Sequence, residues 1–360
     1  MMAVETVEAR LWIGTYPAED TSPGSGEGIW EITLNRTSGK LSGARLVVET
    51  PSASFLAERP GGGVLYAVSE GEPGTVSAFA VTGNDDGATS LVPHGPSPAL
   101  SSGGSAPCHI LAQPDAVWVS NYGDGTFTVV DVDHDGAFKG APRTFPHEGS
   151  GPNTERQEGP HAHFSGDVDG AAWVADLGTD QIRRYSRGQN GLEPDGIAAT
   201  LPPGTGPRHF ATYPGSIVVA GELDCALHVV HLDGTTTLPG ASATAAPTSE
   251  AGSFPSHIAR NADGTRLYVA VRGPDVLATF SVTTDDDGRV TAVEHLSDTS
   301  VAGRWPRHFA VISGAEADLV VVANQLSSEL AVLRMDHRSG AGVLLDTHAL
   351  PAPACVLPGA

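Results

Sequence analysis

Five side chains stand out for the chemistry they could do together: Arg208, Glu222, Arg272, His161 and His163. A guanidinium binds carboxylate or phosphate through two parallel N–H groups. It also steadies an oxyanion as one develops. A histidine or glutamate beside it moves protons near neutral pH. Such a set suits a small, oxygen-rich anion. Arg156 and Gln157, on the stretch ERQEGPHAH (155–163), His109, His209 and Arg307 are the substrate-binding candidates around it. Each member also has a plainer use. Arg208, Glu222 and Arg272 could be ion pairs between structural units, and Arg156 and Gln157 could be solvated loop residues. His161 and His163, at i and i+2, would share one face of a strand and could bind a metal. No third ligand is apparent, and no metal or other cofactor is expected.

These residues can meet only if the chain folds back on itself repeatedly, and the sequence says that it does. An apolar run, a polar or Gly-bearing turn and a second alternating run recur seven times, as in LYAVSEGEPGTVSAFAV (65–81) and VWVSNYGDGTFTVVDVDHDG (117–136). This is a β-hairpin pattern. The matching residues Trp12, Tyr66, Trp118, Trp173, Val218, Tyr268 and Val321 lie 45 to 55 residues apart, so seven copies tile all 360 residues. That period is a propeller blade's. The expectation is an all-β, seven-bladed β-propeller occupying 1–360 as a single domain, with one strand of every blade lining a central channel.

Each hairpin from the second onward follows a short segment read as the innermost strand, including APCHILAQP (106–114), GPHAHFSGD (159–167), GPRHFATYPG (206–215) and WPRHFAVISG (305–314). The shared pattern Pro-x-His, which PHAH (160–163) varies as Pro-x-x-His, is read as placing His109, His163, His209, His257 and His308 at one level, with Ser54 and Cys355 in the remaining blades. The first hairpin lacks such a segment, and APACVLPGA (352–360) supplies it from the other end of the chain. The C-terminal strand is therefore expected to complete the N-terminal blade, leaving no open end. Departures from the repeat carry the chemistry. Arg208 and Arg307 stand where other blades have Cys108 or Ser256, and HAH adds His161. The ends of the second strands read Glu70, Asn121, Asp176, Glu222, Arg272 and Asn324.

Composition narrows the function further. With a net charge of −22, nucleic acid and anionic membranes are disfavoured as partners, and a cluster of arginines is informative. No apolar run approaches a membrane span. The opening MMAVETVEAR lacks the basic start and apolar core of a signal peptide. Three widely spaced cysteines suit free thiols in a reducing cytoplasm. High Gly and Pro content fits many tight turns. The DVDHDG and DDDG stretches are turn sequences without a full calcium-binding loop, and TTTLPGASATAAPTSEAGS (235–253) reads as a loop.

In order along the chain, SFLAERPGGGVLYAVSE, PCHI with SNYGDGT, RQEGPHAH, ADLGTDQIRRY, GPRHF with GELD, LYVAVRG and WPRHF with VANQ resemble the lactonase family of seven-bladed propellers. That family includes bacterial 6-phosphogluconolactonases and fungal carboxy-cis,cis-muconate cyclases. The resemblance implies a cytoplasmic, cofactor-free enzyme acting on a small anionic sugar lactone, as a monomer or weak homo-oligomer. By motif it places the family's proposed His, two Arg and Glu at His161 or His163, Arg208, Arg272 and Glu222. The first blade departs from the family by its EDTSPGSGEG insertion. The expected reaction is hydrolysis of 6-phosphogluconolactone, with Arg208 and Arg272 holding phosphate and oxyanion and Glu222 or a histidine activating water. A carboxymuconate cyclase would use the same groups. A non-catalytic propeller that binds proteins would instead need an apolar face, and only 6% of the residues are aromatic.

Overall fold

The computed structural model describes residues 7–16, 28–83, 89–189, 191–233, 235, 240–250 and 252–360. The first six residues, the EDTSPGSGEG insertion apart from Gly28, and parts of the 235–253 loop lie outside them. Seven antiparallel sheets follow one another as blades 1 to 7. In blades 2 to 7 the inner strand comes first. In blade 1 the inner strand is Pro353–Pro358, which pairs antiparallel with Glu8–Thr15, Gly14 opposite Cys355. The C-terminal segment thus closes the ring as expected. Blade 2 carries a fifth short strand, Ala99–Ser101. The outermost strand of blade 5, Ala241–Ser242, falls within the segment read as loop.

Second strands such as Ala116–Asn121, Ser216–Gly221 and Ala317–Asn324 are buried on both faces, because a blade on either side covers them. This explains runs like LVVVAN, where a sheet with one wet face would alternate. Seven apolar clusters result, one at each blade interface. The cluster between blades 7 and 1 includes Val356, and that between blades 1 and 2 includes Cys355, so the last strand is packed on both sides.

The inner strands share one irregularity that sequence alignment hides. In blade 3, Asn121 pairs with Pro107 and Ser120 with His109, so Cys108 is an extra, bulged residue. The same shift marks Ala354, His163, Arg208 and Arg307, and the blade 6 register breaks across Ser256 and His257. A bulge turns one side chain out of the ladder. The pairing also corrects the expected histidine level. In blade 4, Phe164, not His163, is the counterpart of His109, and in blade 2 the counterpart is Phe55, not Ser54. The HF of blade 4 imitates the HF of blades 5 and 7 but lies one residue early in the register.

The corrected level fills the channel. Phe55, His109, Phe164, His209, His257 and His308 touch in sequence, with ring centroids 3.9 to 5.2 Å apart. His209 and His257 face each other through their Nδ1 atoms at 2.9 Å, which requires one donor and one acceptor. Burial pushes the imidazoles of His109 and His308 down to about 3, aided by neighbouring charged groups, and those of His209 and His257 well below the ordinary range. These histidines are neutral in the folded ring, whereas in the unfolded chain they take a proton near pH 6.5. Stability is therefore full above pH 6.5 and falls as the pH drops from there towards 3, by up to about 1.4 kcal/mol per pH unit for each histidine. Urea unfolding midpoints from pH 7.5 to 5 should show this fall, and His257→Phe should make it shallower. A midpoint constant over that range would contradict a neutral histidine layer.

Candidate active site

Above the histidine layer lies a polar pocket of about 190 Å³ lined by Glu70, Cys108, Tyr122, Arg156, His163, Arg208, Glu222, Arg272 and Arg307. Two structural positions supply most of it. The first is the bulged inner-strand residue: Cys108, His163, Arg208 and Arg307. The second is the residue just past the second strand, whose N–H bonds the carbonyl preceding the inner strand. That position holds Tyr16, Glu70, Tyr122, Leu177, Glu222 and Gln325 by this bond, and Arg272, which pairs with Phe254. Asn121, Asp176 and Asn324, grouped with Glu222 by sequence, stand one place earlier. Their side chains serve the fold: Asn121 and Asn324 donate to the carbonyls of Ser102 and Val301. Asp176 accepts from the backbone of His161 and Gly178 and contacts His147 at 2.7 Å.

Glu222 is the centre of one half of the pocket. Its Oε1 accepts from Arg156 at 2.7 Å. Its Oε2 lies 2.8 Å from Arg272 and 2.9 Å from Arg208 Nε, although that N–H is not aimed at it. Arg208 donates to the carbonyl of Ser256 through another nitrogen. Arg272 lies over the Trp305 ring at 5.3 Å. Burial alone would raise the Glu222 carboxyl, but Arg272 and Arg208 dominate and hold it far below the carboxylate range. It is ionised at neutral pH. Arg156 comes from the loop before the blade 4 inner strand, is the most exposed of the four arginines, and also donates to Tyr122 Oη at 3.3 Å.

Of the other half, the sequence singled out Arg307 as a substrate-binding candidate and Glu70 as a strand end, but not Tyr16. Glu70 Oε2 accepts from Ser54 at 2.5 Å and from Tyr16 Oη. Arg307 donates to Tyr16 Oη at 2.6 Å and lies 3.7 Å from Glu70. Tyr16 and Tyr122 could have been found by extending the blade alignment one residue past each second strand.

The pocket therefore brings together six of the ten sequence candidates: His163, Arg208, Glu222, Arg272, Arg156 and Arg307. His161 is elsewhere. It precedes its strand, bonds the Tyr122 carbonyl through Nδ1 at 2.7 Å and stacks on the Tyr122 ring at 4.4 Å. The bulge at His163 separates the two histidines, so they do not share a strand face as the i, i+2 spacing suggested. Gln157 is fully buried and clamps the loop, donating to Leu177 and Asp180. His109 and His209 belong to the layer below, with His209 on a small recess that also touches Arg208 and Arg307. Burial pushes His163 well below the imidazole range, with Arg208 adding to the effect, so it is neutral. Burial pushes the Cys108 thiol up, so it is no nucleophile at neutral pH.

Four guanidinium groups and two carboxylates face this space, in a protein that is strongly acidic overall. Low-dielectric walls focus such a field on an incoming anion. Among the described residues, no group of three histidine, cysteine or carboxylate side chains is placed to hold a metal.

Comparison with known proteins gives the same family as the motifs. A family model described as "Lactonase, 7-bladed beta-propeller" matches residues 10–358. The chain is 29% identical over 356 residues to a 6-phosphogluconolactonase of Bacillus subtilis strain 168, covering 96% of this chain and 97% of that one. A crystal structure of a Lactobacillus plantarum protein superposes with a TM-score of 0.82 at 28% identity, covering 98% and 99%. The periplasmic gluconolactonase of Pseudomonas aeruginosa shares the fold, with a TM-score of 0.80, 24% identity and coverage of 98% and 99%.

Proposed function

Since the chain belongs to the seven-bladed β-propeller lactonase family, we propose that it hydrolyses a phosphorylated sugar lactone, 6-phosphogluconolactone, to 6-phosphogluconate in the pentose phosphate pathway. The observation that carries this reading is the excess of guanidinium over carboxylate around a small pocket. Arg208 and Arg307 line both the pocket and the recess beside the histidine layer, so they form its floor. There they face the lactone carbonyl and stabilise the oxyanion formed when water adds. Arg156, at the exposed side, and Arg272 meet the phosphate. His163 donates or accepts a hydrogen bond in its neutral form. A lactone is an activated ester, so no covalent nucleophile is needed.

A cytoplasmic location belongs to this reading and is supported by three unpaired cysteines. No helix among the described residues is long and apolar enough to cross a membrane.

The phosphate assignment is tested by kcat/KM for 6-phosphogluconolactone and unphosphorylated gluconolactone, each corrected for spontaneous hydrolysis. One charge-assisted contact is worth about 1.5–3 kcal/mol, so the phosphorylated sugar should lead by about tenfold or more. Equal values would remove the phosphate from the account.

A further inference from the structure

Two glutamates face the pocket, and their surroundings are unlike. They occupy the same position in blades 2 and 5, on opposite sides of the channel. Glu222 meets guanidinium on both oxygens. Protonating it would strand the charges of Arg208 and Arg272, both nearly fully buried. Glu70 Oε2 is held by two hydroxyls, those of Ser54 and Tyr16. Its nearest cation, Arg307, is 3.7 Å away and keeps Tyr16 as a partner at 2.6 Å. Protonating Glu70 would disturb one long ion pair, that with Arg307, whereas protonating Glu222 would break three short ones.

The histidines are poorer candidates. His163 is buried against Arg208, which opposes a second positive charge. His161 commits Nδ1 to the Tyr122 carbonyl and does not line the pocket.

From this arrangement we infer that Glu70 is the general base of the hydrolysis, with Tyr16 and Ser54 as its positioning residues. The inference rests on the lactonase reading. The Glu70 carboxylate takes one proton from water as the water oxygen bonds to the lactone carbonyl carbon. The carbonyl π pair moves to its oxygen, beside Arg208 and Arg307. When that pair returns, the ring C–O bond breaks, and the departing alkoxide takes the proton back from Glu70. One water is consumed, one hydroxyl and one carboxylic acid form, and the acid ionises into solvent. Glu70 ends as it began. Burial keeps the Tyr16 phenol protonated, so it remains a donor throughout.

The test compares wild type, Glu70→Gln and Tyr16→Phe on 6-phosphogluconolactone, measuring kcat and KM against pH and the affinity for 6-phosphogluconate. The charged and titratable groups facing Glu70 are Tyr16, Arg307 and Cys108. Glu70→Gln should lower kcat by about 10²–10⁴-fold, with KM and product affinity within about threefold, and should abolish the acid limb of kcat. Tyr16→Phe removes a donor to the carboxylate, so its acid limb should move to higher pH. Wild-type kcat in Glu70→Gln would overturn the inference while leaving the lactonase reading intact. So would an acid limb unmoved in Tyr16→Phe, which decides the matter even if Glu70→Gln does not fold. A wild type no faster than spontaneous hydrolysis would overturn the lactonase reading itself, and this inference with it.

Discussion

Glu222→Ala should destabilise the protein by about 3–5 kcal/mol, the usual cost of removing one partner from a buried ion pair. The reason lies in what is left behind. Arg208 and Arg272 are 3% and 7% exposed at the side chain, and both depend on the same carboxylate oxygen. Without it, two desolvated guanidinium groups repel each other, with Arg156 and Arg307 nearby. The loss should appear as a lower urea midpoint at an unchanged slope. Adding Arg208→Met should recover part of it, since the double variant buries less unpaired charge. A loss under about 1 kcal/mol would mean that solvent reaches these arginines and that the pocket is not the low-dielectric site described.

Removing residues 352–360 should have the largest effect of all. Those residues include the strand Pro353–Pro358, whose Ala354, Cys355 and Val356 are buried. Their loss strips the inner edge of blade 1 and opens two apolar clusters at once. A domain is held folded by only about 5–15 kcal/mol. We expect the truncated chain to lose its cooperative thermal transition and to aggregate through the exposed edge. Melting like the full chain would show that the ring does not depend on this closure.

The blade count and the closure were legible because both rest on periodicity. Trp12, Trp118, Trp173 and Tyr268 do occupy one place in the pairing, opposite Leu357, Leu111, Gly166 and Ala259. Arg208, Glu222 and Arg272 were legible because they break the repeat in charge. What escaped was register at the scale of a single residue. A bulge in the inner strand places Cys108, His163, Arg208 and Arg307 in the pocket and the following residue in the channel layer. Pro-x-His does not announce the bulge, and His163-Phe164 mimics His209-Phe210 in type while sitting one step out of phase. Likewise Asn121 and Asp176 resemble Glu222 in polarity but precede its position, so Tyr122 was passed over. Glu70 was noticed as a strand end, yet its partnership with Tyr16 crosses from blade 1 to blade 2. No local pattern records such a contact.

Hydrolysis of a sugar lactone in this arginine-rich pocket can be measured directly. The rate of 6-phosphogluconolactone hydrolysis should be followed for wild type and Arg208→Met, each against the spontaneous reaction. The wild-type rate should be far above background. In Arg208→Met kcat should fall by about 10²–10³-fold, the size expected for losing one oxyanion donor. A wild type at the spontaneous rate, or an Arg208→Met protein that is folded and fully active, would contradict lactone hydrolysis in this pocket.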